Sequence, residues 1–60
     1  MVMRRGLVVE TVAPNGKVYR YTVTRTAGNI AWIAPHAKRL GTPDSLSIHR
    51  RWWDRYTEVN

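Results

Sequence analysis

The chain has 60 residues, of which ten are Lys or Arg and four are Asp or Glu, so its formal net charge is +6. This length predicts a single domain, residues 1–60, that buries only about 60% of the surface exposed by its unfolded form. The absence of cysteine excludes a disulfide scaffold and a thiolate metal site, and the hydrophobic content of 43% argues against a disordered tail.

The chain begins with residues 1–6, which include Arg4 and Arg5 and are expected to form a flexible basic arm. The apolar stretch that follows is interrupted by Glu10, which is untypical of a signal peptide. The longest run without a charge or a histidine, residues 26–35, is far shorter than the about 20 residues that a membrane span needs. We therefore expect a soluble, cytoplasmic domain that has no contact with a membrane.

Residues 13–17 predict a β-hairpin loop. Pro14 presets φ for the second position of a type I turn, Asn15 suits the third position, and Gly16 accepts a positive φ at the fourth. Such a three-residue loop closes with a glycine bulge and so sets the register of the two flanking strands. The expected pairs are Leu7 with Val23, Val9 with Tyr21, Glu10 with Arg20, and Thr11 with Tyr19.

A two-residue Asn-Gly turn would shift this register by one residue and place Glu10 among apolar side chains, so the bulge register is preferred. In that register one face of the hairpin is mostly apolar. The other face, here called the outer face, carries Val8, Glu10, Val12, Val18, Arg20, Thr22 and Thr24.

A third strand is predicted at residues 30–34, after a turn cluster at residues 26–29. It is apolar on both faces, which is typical of a covered strand or of one that self-associates. Pro35 is expected to end the strand, and residues 35–40 can form one helical turn with Gly41 as its stop.

The C-terminal segment predicts a helix over residues 43–57. Thr42 is suited to cap it, Pro43 to its first position, and Asp44 to the positive end of its dipole. Helical spacing also gathers the apolar side chains on one half of the helix. These are Leu46, Ile48, Trp52, Trp53, Tyr56 and Val59.

The predicted fold is therefore α+β: a three-stranded antiparallel sheet followed by one C-terminal helix packed on one face. The alternative is a small SH3-like β-barrel, in which the C-terminal segment is extended. Its Trp, Tyr, Thr and Val content favours strands, but the doublets Arg50-Arg51 and Trp52-Trp53 do not fit an alternation of period two.

The net charge is unevenly distributed along the chain. Residues 1–43 contain seven basic residues and one acidic residue, whereas residues 44–60 contain three of each. Such an excess aids solubility and also suits a polyanionic partner. The predicted helix, being balanced in charge, is interpreted as a packing element.

The predicted binding residues lie on the outer face, in the arm and in the turn after the third strand, where Lys and Arg neutralise phosphates and short polar side chains enter a DNA groove. They are Arg4, Arg5, Lys17, Arg20, Thr22, Arg25, Lys38 and Arg39. A second, apolar set would support self-association into a homodimer. It consists of Val8, Val12, Val18, Ile30 and Trp32.

No catalytic site, metal or cofactor is predicted. Two histidines and four scattered acids give no metal-ligand set, and Ser45, Ser47 and His49 lack a third orienting group. We interpret His49 as a packed histidine with one satisfied nitrogen. Trp53 and Tyr56 are interpreted as core residues because a chain without Phe builds its core from other aromatic side chains.

Residues 40–42, Leu-Gly-Thr, with Asp44, Arg51, Asp54 and Arg55, are similar to the stretch that enters the helix of AP2-type domains. A three-stranded sheet with one helix also resembles the layout of AP2-type and phage-integrase arm-binding domains. The resemblance implies a sheet that reads DNA. The chain departs from it at Trp52-Trp53, where AP2 helices are rich in Ala, and at residues 35–39, which have no counterpart.

The function predicted from these features is that of a small, basic nucleic-acid-binding accessory module, with DNA favoured over RNA. The alternative is a protein-interaction module, such as a phage- or mobile-element-type inhibitor that binds an acidic host protein. A third reading is a ribosome- or RNA-associated protein, which shares the charge signature but prefers structured RNA.

Overall fold

The computed structural model describes residues 1–37, 40–41 and 43–59, which form one antiparallel sheet. Its elements are β1 (Val8–Val12), β2 (Val18–Ala27), β3 (Ile30–Pro35), β4 (Leu46–His49), a 3-10 helix (Arg50–Arg55) and β5 (Thr57–Glu58). The strand order is β4-β3-β2-β1-β5. The two edge strands, β4 and β5, are thus joined in sequence by the 3-10 helix alone and one residue after it.

The β1–β2 hairpin confirms the predicted loop and register. Gly16 has a φ of 85° and its N–H donates to the Ala13 carbonyl at 2.9 Å, while the Ala13 N–H donates to the Lys17 carbonyl at 2.8 Å. The strand pairs include Val9 with Tyr21 and Glu10 with Arg20, as expected. Local turn chemistry was therefore sufficient to place the paired side chains of Val8–Val12 and of residues 18–22 on their correct faces.

A β-bulge in β2 changes which side chains share a face. Val23 pairs with Ile33, but the next pair is Arg25 with Trp32, so Thr24 is the extra residue. Val23 and Ile33 are buried on the inner face, and one step along β3 turns Trp32 to the outer face. Because of the bulge, Arg25 lies there beside Trp32.

The inner face of the sheet forms the core. Its buried residues are Met3, Leu7, Val9, Val23, Ala31, Ile33 and Trp53. Leu46 and Ile48 from one edge strand and Tyr56, which precedes the other edge strand, pack against the same cluster. Since both edges reach one core, the sheet curls over its own inner face and the core is covered without an α-helix.

The predicted C-terminal helix is wrong, and with it the three-stranded α+β fold. Residues 46–49 are instead extended and pair with β3, where Leu46 and Ile48 pack on the core and Ser47 and His49 alternate with them. Pairing with β4 protects the edge of the apolar strand β3, which a helix across one face would leave open. Of the extended C-terminal segment in our alternative, residues 46–49 and 57–58 are strands of a five-stranded sheet, whereas residues 50–55 form the 3-10 helix.

The 3-10 helix explains the aromatic doublet that no strand pattern accommodates. Successive residues of a 3-10 helix point about 120° apart, so two neighbouring tryptophans cannot share an environment. Trp53 is buried, and its indole N–H donates to the Ile48 carbonyl at 3.3 Å, whereas Trp52 is exposed. The expectation that Trp53 is a core residue is confirmed, and the resemblance to AP2-type domains loses the helix on which it depends.

The N-terminal residues 1–6 contact the sheet at several points. Met3 is 4% exposed within the core, and the Gly6 N–H donates to the Val23 carbonyl at 2.8 Å. The N-terminal amine lies 3.7 Å from the Asp54 carboxylate, and Arg4 lies 3.6 Å from Glu58. The flexibility expected of this arm stays a prediction, and these are the contacts that such motion would have to break.

Candidate nucleic-acid interface

Three acidic residues of the described chain, Glu10, Asp54 and Glu58, lie near cations. Glu10 lies 3.2 Å from the Arg20 guanidinium, and the ion pairs of Asp54 and Glu58 with the N-terminal segment are given above. Arg20 nevertheless keeps 58% of its side chain exposed. A surface ion pair of this kind contributes only about 0–1 kcal/mol, so a phosphate can compete for the arginine.

Six Lys and Arg side chains within residues 1–37, 40–41 and 43–59 have no carboxylate of those same residues within 4.0 Å. They are Arg5, Lys17, Arg25, Arg50, Arg51 and Arg55. Four of these arginines lie around β4, the 3-10 helix and the nearby end of the β2–β3 hairpin. The Arg50 N–H donates to the Asn29 carbonyl at 2.7 Å, which fixes the start of the 3-10 helix to the turn between β2 and β3.

Two of the four arginines stack on tryptophan rings. The Arg25 guanidinium carbon lies 4.4 Å from the centre of the Trp32 ring, and that of Arg55 lies 4.5 Å from the centre of the Trp52 ring. Cation–π contacts orient the guanidinium and leave its charge unneutralised. We call these two pairs, with the β4 residues between them, the stacked region.

The backbone around each pair is fixed by hydrogen bonds. The Thr24 hydroxyl donates to the Trp32 carbonyl at 3.3 Å, next to the bulge that brings Arg25 over the ring. The Thr11 hydroxyl donates to the Arg55 carbonyl at 3.2 Å and so ties the end of the 3-10 helix to β1. Both arginines are therefore carried on anchored segments of backbone.

An open groove of about 510 Å³ lies beside β4 within this region. Its lining includes Ile30, Ser47, His49, Trp52 and Arg55. Ser47 pairs across the strands with Trp32, and His49 pairs with Ile30, so the groove adjoins the Trp32 ring through β4. The volume lies in the range of small-ligand sites, and its described lining contains no carboxylate.

His49 has the satisfied nitrogen that the sequence suggested. Its Nδ1 accepts the Arg51 N–H at 3.1 Å, which caps the 3-10 helix. In the neutral imidazole the proton is then on Nε2, which is left as a donor. The residue thus has a structural role through one nitrogen and a free donor on the other.

Tyr56 lies under the groove and contacts Tyr21 edge-on, with ring centres 6.1 Å apart and an interplanar angle of 78°. Burial, followed by the proximity of Tyr21, raises the pKa of the Tyr56 hydroxyl above its usual 10.0, although Arg55 opposes the rise. Tyr56 is therefore a neutral packing residue at ordinary pH.

The structure distributes the predicted binding residues rather than bringing them together. Lys17 precedes β2 and Arg25 lies near its far end, about 26 Å away for eight residues of strand. Arg20 is paired with Glu10, and the Thr22 hydroxyl lies 2.7 Å from His36 Nε2. Arg4 and Arg5 are exposed on the N-terminal segment, and the predictions for Lys38 and Arg39 lie outside the described residues, as does part of the predicted turn 35–40.

The residues proposed for self-association also separate into two groups. Val12 and Val18 pair at one end of the hairpin and are 64% and 54% exposed, with Val8 further along β1. Ile30 and Trp32 are half-buried at the other end of the sheet, in the stacked region.

Sequence reasoning missed the contribution of the C-terminal segment. Trp52, Arg55, Ser47 and His49 were assigned to a packing helix, so their exposed sides were not considered. The signal that could have found them is the run Arg-Arg-Trp-Trp at residues 50–53, because neighbouring side chains diverge along a helix or a strand, so that full burial of one ring brings the other toward the surface.

Membrane-spanning helices and metal-ligand groups are both absent from the described residues. No helix there is long and apolar enough to cross a membrane. No group of three or more His, Asp or Glu side chains in that part of the chain could hold a metal ion. Comparison with known proteins finds no matching family model, no curated relative and no similar solved structure.

Proposed function

We propose that this chain is a small nucleic-acid-binding accessory module of the cytoplasm that favours DNA over RNA. The observation that carries the proposal is the set of six cations that have no carboxylate partner in the described chain. Two of them, Arg25 and Arg55, lie in the stacked region, and Arg50 and Arg51 lie on the 3-10 helix next to it. An uncompensated group of arginines attracts a polyanion, and neighbouring aromatic rings distinguish a nucleic acid from other polyanions because they accept bases.

Within this proposal the arginines divide into two classes. Arg25 and Arg50 have no acidic partner among the described residues and contact phosphates directly, whereas Arg4 and Arg20 first have to leave Glu58 and Glu10. The unpaired class therefore contributes most of the affinity. Lys17, Thr22, Lys38 and Arg39 extend the contacts along the nucleic acid.

The test is a salt-titrated binding assay with duplex DNA, single-stranded DNA and RNA. Removing two phosphate contacts lowers the log–log salt slope by about 1.4 to 1.8. We expect this of the double variant Arg25→Gln with Arg50→Gln. The matched control, Arg4→Gln with Arg20→Gln, removes the same charge from ion-paired positions and should change the slope less. Absence of binding to all three nucleic acids at low salt would refute the proposal.

A second candidate function is supported by the exposed apolar residues at the other end of the sheet. Val12 and Val18 pair across the strands and are both exposed. A partner that covers these residues and presents acidic side chains to Lys17 would suit the alternative of a protein-interaction module or a homodimer. This candidate predicts a stoichiometric complex that survives moderate salt and is lost in Val12→Ser with Val18→Ser.

A further inference from the structure

We propose that the groove beside β4 binds unstacked bases of single-stranded DNA, with Trp32 and Trp52 as the stacking platforms. This inference rests on the proposed function and adds that the nucleic acid is single-stranded and that two tryptophans contact its bases. The sequence assigned Trp32 to self-association and Trp52 to the core, so neither assignment anticipated this site.

The two rings are prepared for stacking in the same way. Each tryptophan has an arginine over its ring, at 4.4 Å for Trp32 and 4.5 Å for Trp52, and each segment of backbone is fixed by a threonine hydroxyl. Each guanidinium covers one face of its ring, so a base stacks on the opposite face while the arginine contacts the adjoining phosphate. Arginine and tryptophan thus form two repeated units, each suited to one nucleotide.

Trp52 and Arg55 line the groove, and Trp32 adjoins it through Ser47. Ser47 is the cross-strand neighbour of Trp32 and lines the same groove as Trp52, so β4 is the path from one ring to the other. His49 presents its Nε2 donor in this groove because its Nδ1 is occupied by the Arg51 N–H. The groove therefore contains donors for acceptor atoms of a base, and no carboxylate of its described lining opposes a phosphate.

The geometry favours a single strand over a duplex. A duplex keeps the faces of its bases inside the stack, so tryptophan faces gain nothing from it except at an end. It favours DNA over RNA because Ile30 and Ile48 line the groove, and a ribose hydroxyl buried against isoleucine loses its hydrogen bonds to water.

The experiment measures binding of oligo(dT) of about ten nucleotides by the full chain, followed by tryptophan fluorescence and by anisotropy. Trp52→Ala should weaken binding about tenfold with an unchanged salt slope, because stacking is lost and no phosphate contact is removed. Trp52→Tyr should restore most of the affinity, since it keeps an aromatic face. Trp52 is exposed, so we expect both variants to retain the thermal melting of the parent chain.

Binding measurements with other ligands distinguish failure of base stacking from failure of nucleic-acid binding as a whole. Duplex DNA of the same length should bind equally well to the parent and to Trp52→Ala, whereas oligo(U) should bind the parent more weakly than oligo(dT). If Trp52→Ala leaves oligo(dT) binding unchanged, or weakens duplex binding to the same extent, the groove is not a base-stacking site although the proposed function stands. Equal or tighter binding of oligo(U) overturns the choice of DNA. If the chain binds polyglutamate as tightly as oligo(dT), the ligand is an acidic protein and the inference fails.

Discussion

The arginines of the sheet are held in two contrasting ways. On the β1–β2 hairpin, Arg20 faces Glu10 across the strands at 3.2 Å, and the pair adds no net charge to that surface. In the stacked region, Arg25 and Arg55 lie over tryptophan rings and keep their full charge. An aromatic ring can thus order an arginine as firmly as a carboxylate does and still leave it available to an anion.

The largest loss of stability should come from removing Trp53, the buried side chain that holds the 3-10 helix against the sheet. Trp53→Ala deletes a buried ring and its hydrogen bond to the Ile48 carbonyl, which together join the 3-10 helix to β4. We expect a loss of about 3–5 kcal/mol in the free energy of unfolding, most of what a domain of this size has. Urea denaturation checks this, with Trp52→Ala as the control that should lose under about 1 kcal/mol. Equal losses in the two variants would show that the 3-10 helix does not separate the rings.

An intermediate effect should follow from disturbing the hairpin that carries the ion pair. Gly16 has a φ of 85°, and a Cβ added there would meet no atom within 4 Å, so Gly16→Ala introduces backbone strain alone. The expected loss is about 1–2 kcal/mol. Gly16→Asn should lose less, since Asn tolerates this conformation better. Thermal denaturation compares the two, and an Ala variant as stable as the parent would mean that the turn can change type.

The smallest change in stability is expected for the variant that most directly tests the difference between ion-paired and unpaired arginines. Glu10→Gln removes the partner of Arg20 and converts an ion-paired arginine into a free one. We expect a change of at most about 1 kcal/mol in unfolding free energy, but tighter binding to DNA with a salt slope steeper by about one unit. Glu58→Gln, which frees Arg4, is the comparison at equal charge. If the two variants bind DNA with the same affinity and salt slope, binding depends on net charge and not on the position of the freed arginine.

The sequence was a good guide where the determinants are local. Pro14, Asn15 and Gly16 specify a turn, and the turn specifies the register and the faces of β1 and β2. The apolar strand at residues 30–34 was also predicted, and the structure extends it by Pro35.

The C-terminal half depends on contacts that a periodicity analysis does not contain. Leu46 and Ile48 fit one face of a helix as well as one face of a strand, and the choice is made by β3, which offers an edge for pairing. The cation–π pair of Arg25 required the bulge at Thr24, and that of Arg55 required the 3-10 helix. Because both depend on local departures from regular geometry, periodicity alone does not show that these two arginines stack on tryptophan rings.

The pairing of β5 with β1 has a consequence for the order of folding. Val9 pairs with Glu58, so the last strand completes the sheet only after nearly the whole chain has closed into a loop. The β1–β2 hairpin closes through three residues and can form within microseconds. The ion-paired surface is therefore complete early, whereas the Arg55 segment, which Thr11 ties to β1, is fixed in place only when the end of the chain reaches β1.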